Sequence, residues 1–374
     1  MKKYKLGDVI HKVEGNKNKQ LKDLPLLGIN IEKEFMPSVA NTIGTDMSNY
    51  QIVKKEQFAC NPMHLGRDER MPTALLLDRD EILVSPAYFV FEIIDKNIIL
   101  PEYLMLYFKR PETDRLLWFK TDSSVRGGLG WNEFCAVELS IPSIEKQKKI
   151  VEQYNQITES IKIKERLNNN LEQQAFSFYK SKISNKDKNA VLSDIANITM
   201  GTSPEGESYN DIGNGTVFYQ GRSDFGFRIP TVRLYTTEPK KYANKGDILM
   251  SVRAPVGDIN IAKEKCSIGR GLAAINSKIG CASFLFYTML ELKLELNKFN
   301  DEGTVFGSIT KDDLFALPVV LLSDDEQKEF EDKVAPMDRL IYTNEEEIIM
   351  LKNVQSLLLK KLTAKTAKLS FSKK

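Results

Sequence analysis

Apolar side chains recur at alternating steps of four and three along two stretches of the chain. One series runs Ile150, Tyr154, Ile157, Ile161, Lys164, Asn168, Leu171, Ala175, Phe178. The other runs Phe330, Val334, Met337, Ile341, Asn344, Ile348, Leu351, Gln355, Leu358. Seven of nine positions are apolar in each, the mark of a heptad seam. Each seam predicts a helix of ~35–40 residues, about 55 Å long at the usual rise. Two seams of matching length predict partners, paired antiparallel. Lys164, Asn168 and Asn344 interrupt the apolar seam. Such residues either fix register from inside a helix pair or face solvent where the helices diverge. Pro336 predicts a kink or a restart near Ala335.

The approach to each helix is also repeated. "NEFCAVELSIPSIEKQKKI" (132–150) and "DDLFALPVVLLSDDEQKEF" (312–330) align at an offset of 180: a large apolar residue, an alanine, alternating apolar positions, a serine, then Lys-Gln-Lys or Glu-Gln-Lys. Ser323 and Glu326 form an S-x-x-E capping box. Ser143 is an N-cap, although Lys146 breaks the box there. Upstream, "KLGDVI" (5–10) matches "VLSDIANI" (191–198), and "DEILVSPAYFVFEI" (80–93) is aligned with "GDILMSVRAPVGDINIA" (246–262) as short strands with a buried face. A short helical stretch and a glycine-rich turn close each half. The pattern predicts a mixed α/β (α+β) fold in tandem repeat: globular segment 1–142, long helix 143–185, globular segment 186–322, and long helix with a basic tail 323–374.

Composition narrows the class. A length of 374 residues calls for more than one domain, and 42% hydrophobic content with a mean hydropathy of −0.32 describes a soluble globular chain. The start lacks the apolar region of a signal peptide, and "CASFLFYTML" (281–290) is too short to span a bilayer. Four scattered cysteines and two histidines suggest inert thiols, no zinc site and a cytoplasmic location. The net charge is only +2, but residues 219–270 hold ten Lys/Arg against five Asp/Glu. A local basic field of that kind suits nucleic acid.

Three stretches carry a resemblance that spans essentially the whole chain: "FGSITKDDLFALPVVLLSDDEQKEFEDKV" (306–334), "GWNEFCAVELSIPSIEKQKKIVE" (130–152) and "KKYANKGDILMSVRAPVGDINIAK" (240–263). With "QFACNPMHLGR" (57–67), they resemble the specificity subunits of type I restriction-modification systems. The resemblance implies a non-catalytic, DNA-binding subunit serving DNA methylation and phage defence. Each globular segment would be a target recognition domain reading one half of an asymmetric bipartite site in double-stranded DNA. The paired helices would be a coiled coil that sets the spacer and docks two methylation subunits. S-adenosylmethionine, ATP and Mg would belong to those methylation subunits and to restriction subunits, with no cofactor or metal in this chain.

Base edges are read by Arg, Lys, Asn and Gln, and phosphates by further cations. In the first domain the candidates are Asn61, His64, Arg67 and Arg70. In the second they are Gln220, Arg222, Arg228 and Arg233, with Lys240, Lys241 and Arg253 as phosphate contacts. The expected surface alternative is that Arg222 pairs with Asp224. Catalysis by the chain itself has little support. "NPMH" (61–64) is similar to the Asn-Pro-Pro-Tyr/Phe motif of amino-methyltransferases, but it lacks the second proline and the aromatic ring, and no donor-binding glycine loop accompanies it. No GxxxxGK[ST] is present. The alternatives are a specificity subunit of another restriction class and a coiled-coil scaffold that binds protein.

Overall fold

A computed structural model describes residues 1–39, 44–63, 65, 69–121, 128–301 and 307–362. The chain divides into two compact units, residues 1–160 with 351–374, and residues 161–350. The division falls inside both long helices.

The first unit opens with β1 (Lys2–Lys5) and β2 (Ile10–Lys12). There follow β3 (Leu27–Ile29), β4 (Phe35–Pro37), β5 (Gln51–Lys54), β6 (Phe58–Cys60), β7 (Thr73–Leu75), β8 (Glu81–Val84) and β9 (Phe89–Ile93). Helices α1 (Pro101–Phe108), α2 (Pro111–Phe119) and α3 (Trp131–Cys135), then β10 (Glu138–Ile141), lead into the long helix α4 (Ile144–Ile183). An antiparallel sheet has the order β2-β9-β6-β7. Beside it, β3 pairs with β4 and β5 with β8, and a parallel bridge from Leu26 to Leu83 links the two pairs.

The second unit repeats this plan with β11 (Ala190–Val191), α5 (Leu192–Ile195), β12 (Ala196–Met200), β13 (Tyr209–Asn210), β14 (Thr216–Tyr219), β15 (Leu234–Thr236), β16 (Tyr242–Ala243), β17 (Ile248–Ser251), β18 (Ile259–Ile261), β19 (Cys266–Ile268) and β20 (Leu272–Ser277). Helices α6 (Ala282–Glu291), α7 (Lys293–Leu296), α8 (Lys298–Asp301) and α9 (Lys311–Phe315) precede β21 (Pro318–Val319) and the long helix α10 (Asp324–Lys361). Its sheets run β12-β20-β17-β18 and β13-β15-β14-β19-β16, with β14 parallel to β19. Strands β2 to β9 therefore correspond one by one to β12 and β14 to β20, and β13 is an addition.

This correspondence corrects one alignment. Segment 246–262 does not match 80–93. It matches residues 56–76, as the hydrogen bonds show. In one unit Lys54 N–H donates to Gln57 Oε1 (2.8 Å), Glu56 N–H to the Leu76 carbonyl (2.7 Å) and Leu76 N–H to Gln57 (3.0 Å). In the other, Asn244 N–H donates to Asp247 Oδ2 (2.8 Å), Gly246 N–H to Ala262 (2.9 Å) and Ala262 N–H to Asp247 (2.9 Å). Glu56 and Gly246 share a left-handed backbone, at φ 66° and 90°, which costs a side chain and is natural for glycine.

The entry and exit of each unit are built alike. β1 pairs with β10 and β11 with β21, so the arriving strand lies on the departing one. Leu6 N–H donates to Val137 (2.7 Å) and Leu192 N–H to Leu317 (2.8 Å). Asp8 and Asp194 cap the turns that follow, and Leu6, Leu192, Phe134 and Leu314 are fully buried. Burial explains the repeated glutamine. Gln147 donates to Pro142 (3.0 Å) and Ile98 (2.9 Å), and Gln327 donates to Leu322 (3.0 Å), each satisfying a carbonyl where strand becomes helix. Ser323 and Glu326 form the expected reciprocal cap.

The helices pair antiparallel in each unit. In the second, Phe178 stacks on Phe330, Asn344 Nδ2 donates to Asn168 Oδ1 (2.8 Å), Asn168 Nδ2 to Glu345 Oε1 (3.0 Å) and Lys164 Nζ to Asn344 Oδ1 (3.1 Å). In the first, Gln355 donates to Thr158 (2.7 Å) and Arg110 to the Leu359 carbonyl (3.1 Å). Every seam position is buried or half-buried. Asn168 and Asn344 lie inside, so the polar seam is a buried network and not a solvated face. Helix α10 passes through Pro336 without interruption. The proline faces solvent, where water can take the freed carbonyl, while buried Phe330, Val334 and Ile341 hold the helix on both sides.

Candidate nucleic-acid interface

In the second unit, strand register gathers the polar candidates at one end of a sheet. Phe218 pairs with Leu234 and Tyr219 with Ile268, and Ile268 N–H donates to the Lys241 carbonyl (3.0 Å). Just beyond these positions stand Arg233, Gln220, Arg270 and Lys241, side by side across the sheet and all exposed. Gly269 and Gly271 pack on the backbone of Gln220, where an added Cβ would come within 3.1 and 2.7 Å. Val252 N–H donates to Gly271 (2.9 Å), which brings in the β17–β18 connection with exposed Arg253. Arg270 closes the basic 219–270 window of the sequence but was not among the residues expected to read DNA.

The 220–233 connection is held from below. Asn260, buried, donates to the Gly226 carbonyl (3.0 Å) and accepts from Gly226 N–H (3.2 Å). Arg222 pairs with Asp258 (3.1 Å), not with Asp224, and Asp258 also takes Lys293 (3.0 Å). Asp224 is buried and pairs with Arg233 instead. Lys240 pairs with Glu205 (2.8 Å), which raises the lysine through that hydrogen bond and lowers the glutamate. Apart from the buried Asp224, these pairs lie at the surface, where solvent screening leaves them weak and easily exchanged for a phosphate.

Arg228 does not belong in this set. It is 2% exposed, and its guanidinium is engaged by Glu172, Tyr287 and Asp338. The fork is used up inside the unit and presents nothing to a duplex.

In the first unit, Asn61 leaves the end of β6, half-buried, with Oδ1 accepting Met63 N–H (3.0 Å). Burial pushes the Tyr88 phenol up, and Tyr88 and Asn61 flank the paired ends of β9 and β6, where Cys60 faces Phe89. Arg70 is exposed and lines a polar cavity of about 960 Å³ with Lys33, Lys109, Asp114 and Arg115. His64 and Arg67 lie outside the described residues.

Among the described residues no His/Cys/Asp/Glu cluster could hold a metal, and no helix is long and apolar enough to cross a membrane. Burial raises the thiols of all four cysteines, which are unpaired.

A two-fold repeat of one sheet plan, gathered polar loop ends and a helix pair are the features a family comparison must account for. The family model described as "Type I restriction modification DNA specificity domain" matches residues 1–173 and again 187–353. The chain belongs to the type I DNA specificity family. The putative type I restriction enzyme MjaX specificity subunit of Methanocaldococcus jannaschii is 31% identical over 74% of this chain and 69% of its own length. The HindI specificity subunit of Haemophilus influenzae is 32% identical over 28% of this chain and 23% of its own. A crystal structure of the S subunit of a type I restriction-modification system from M. genitalium shares the fold, with a TM-score of 0.57 at 15% identity, covering 96% of this chain and 95% of that one. The chain is thus a DNA specificity subunit of the type I kind, with its two family domains in tandem.

Proposed function

We propose that each unit of this specificity subunit reads one half of an asymmetric bipartite site in double-stranded DNA. The observation that carries the reading is the repeat itself: one strand plan, twice, with different side chains at the gathered loop ends. In the second unit Gln220, Arg222, Arg233 and Arg270 are the base-reading candidates, and Lys240, Lys241 and Arg253 hold phosphates. In the first unit Asn61, Arg70, His64 and Arg67 take these roles. Because the loop sequences differ, the two half-sites differ.

Helices α4 and α10 act as the ruler and as the docking surface. Ile163, Leu167, Leu340, Met350, Val354 and Leu357 are exposed along them, an apolar supply that suits partner subunits. Those partners are two methylation subunits, which bring S-adenosylmethionine, and restriction subunits, which bring ATP and Mg. This chain carries no catalytic step, and the complex works in the cytoplasm.

The test is methylome sequencing of cells carrying the system, followed by gel shifts of the assembled methylation complex. A bipartite, non-palindromic site with binding that weakens steeply with salt is expected. A single uninterrupted site, or salt-independent binding, overturns the reading.

A further inference from the structure

Two buried cations occupy equivalent places in the repeat. Lys33 lies between β3 and β4, Arg228 between β14 and β15, and these hairpins match in sheet position. Both connections start at the gathered loop ends, yet both cations turn inward to the helices. Lys33, 6% exposed, donates from Nζ to the Phe108 carbonyl at the end of α1 and to Asp114 Oδ1 (2.6 Å). The same oxygen accepts Met71 N–H (3.1 Å), so one carboxylate ties the β3–β4 hairpin to the end of the 61–72 connection. Lys33 is held there in the left-handed region, at φ 66°, which a side chain adopts only when its surroundings impose it.

Arg228 does the same with more partners. Nε donates to Glu172 Oε2 on α4 (2.9 Å) and Nη2 to the Tyr287 hydroxyl on α6 (2.9 Å), while Nη1 stands 3.4 Å from Asp338 on α10. The guanidinium carbon lies 3.8 Å from the Phe286 ring centre. Its own carbonyl accepts Ile261 N–H (2.8 Å).

Buried ion pairs are a poor device for stability, since apolar side chains of like volume do as well. They do restrict geometry, because a desolvated charge has one place where its partners compensate it. We infer that Lys33 and Arg228 are positioning residues for specificity, each pinning one half-site's reading loops in a single register against its own helices. The inference rests on the proposed DNA-facing role of those loops and adds what holds them.

The experiment uses the assembled methylation complex, with the site first read by methylome sequencing. Binding is measured on the cognate duplex and on duplexes with single-base changes in each half. Arg228→Lys keeps the charge but loses the fork, and Glu172→Gln removes one of two carboxylates with little change of shape. Both should lower discrimination within one half-site, about tenfold for Arg228→Lys and less for Glu172→Gln. Discrimination in the other half and the salt slope should stay unchanged. Lys33→Met should loosen the opposite half only. If the Arg228→Lys complex fails to assemble, Glu172→Gln decides. A purely structural role lowers thermal stability while discrimination below the melt stays intact, and that result overturns the inference. Arg222→Ala separates the two levels: if it alters discrimination while the pin variants do not, the pins are refuted and the loop still reads. If none of the variants alters it, the loop is not the reader and both ideas fall.

Discussion

Arg222 and Lys240 illustrate how one charge type can serve two ends. Arg222 stands at the start of the 220–233 connection, half-exposed, with its guanidinium on Asp258. If it reads a guanine edge, Arg222→Ala costs ~1–3 kcal/mol of binding and relaxes one base pair of one half-site. Lys240→Ala weakens binding evenly over all sequences and lowers the salt slope by about one unit. Titrating both variants against single-base duplexes at two salt concentrations checks this, and equal sequence-blind losses would remove Arg222 as a reader. The basic window was legible from composition, whereas the fate of each cation in it was not. Arg228 looks like its neighbours in sequence because its partners Glu172 and Tyr287 lie 56 and 59 residues away. A local pattern carries no trace of them.

Among the elements, the long helices were the most legible, because a heptad seam repeats its message at every turn. Of the two outcomes expected at Pro336, the restart does not occur, because packing on both sides carries the helix through. The buried Asn168–Asn344 pair was left open by the sequence, since an asparagine on a seam reads the same whether solvated or enclosed. Its burial makes a prediction. Asn344→Leu leaves Asn168 Oδ1 without its donor and costs ~1–3 kcal/mol in urea unfolding. Replacing Asn168 and Asn344 by leucine together with Glu345→Gln, which removes the carboxylate that Asn168 served, restores most of that stability but loosens the register. Recovery that fails in the combined variant would show that the network stabilises by itself.

The start of α10 responds to acid. Hydrogen bonds from Lys186 and from Ser323 hold Glu326 down at about 2, and those from Lys182 and Lys333 do the same for Glu329, against an ordinary 4.5. A depressed carboxylate stabilises above its unfolded value, and that contribution is lost as pH falls from about 4.5 toward 2. Both groups lie at the surface, about half exposed, so the loss is small and screened by salt. Thermal melts across this range should flatten in Glu326→Gln with Glu329→Gln. An unchanged pH profile would assign the acid response to other groups.

At the scale of the molecule, the repeat was visible at its ends and misread in its middle. Leu6 and Leu192 differ by 186 positions, Gln57 and Asp247 by 190, and Gln147 and Gln327 by 180. Loops of unequal length move the offset, so an alignment set at one end drifts onto the wrong strand. The 30–34 and 220–233 connections, equivalent in the sheets, show how large that inequality becomes. The helices give the matching prediction for the DNA site. Inserting seven residues into α4 and seven at the facing level of α10 keeps the seam in phase and adds about 10 Å. The spacer should lengthen by ~3 base pairs at 3.4 Å each while both half-sequences stay unchanged. Methylome sequencing reads this directly, and altered half-sequences would refute the ruler.

Each unit begins and ends on the same joint: an entering strand laid on a departing one, a buried leucine beneath an aspartate cap, and a glutamine closing the carbonyls where the helix starts. Joints that match are sites for genetic exchange. A crossover between two related genes at the codons for Leu192 and Gln327, or for Leu6 and Gln147, brings in a foreign reading cassette whose edges already fit the host framework. Under the reading proposed above, such an exchange would redirect one half-site while the strand pairing, the buried leucine and the glutamine of the host joint still find their partners.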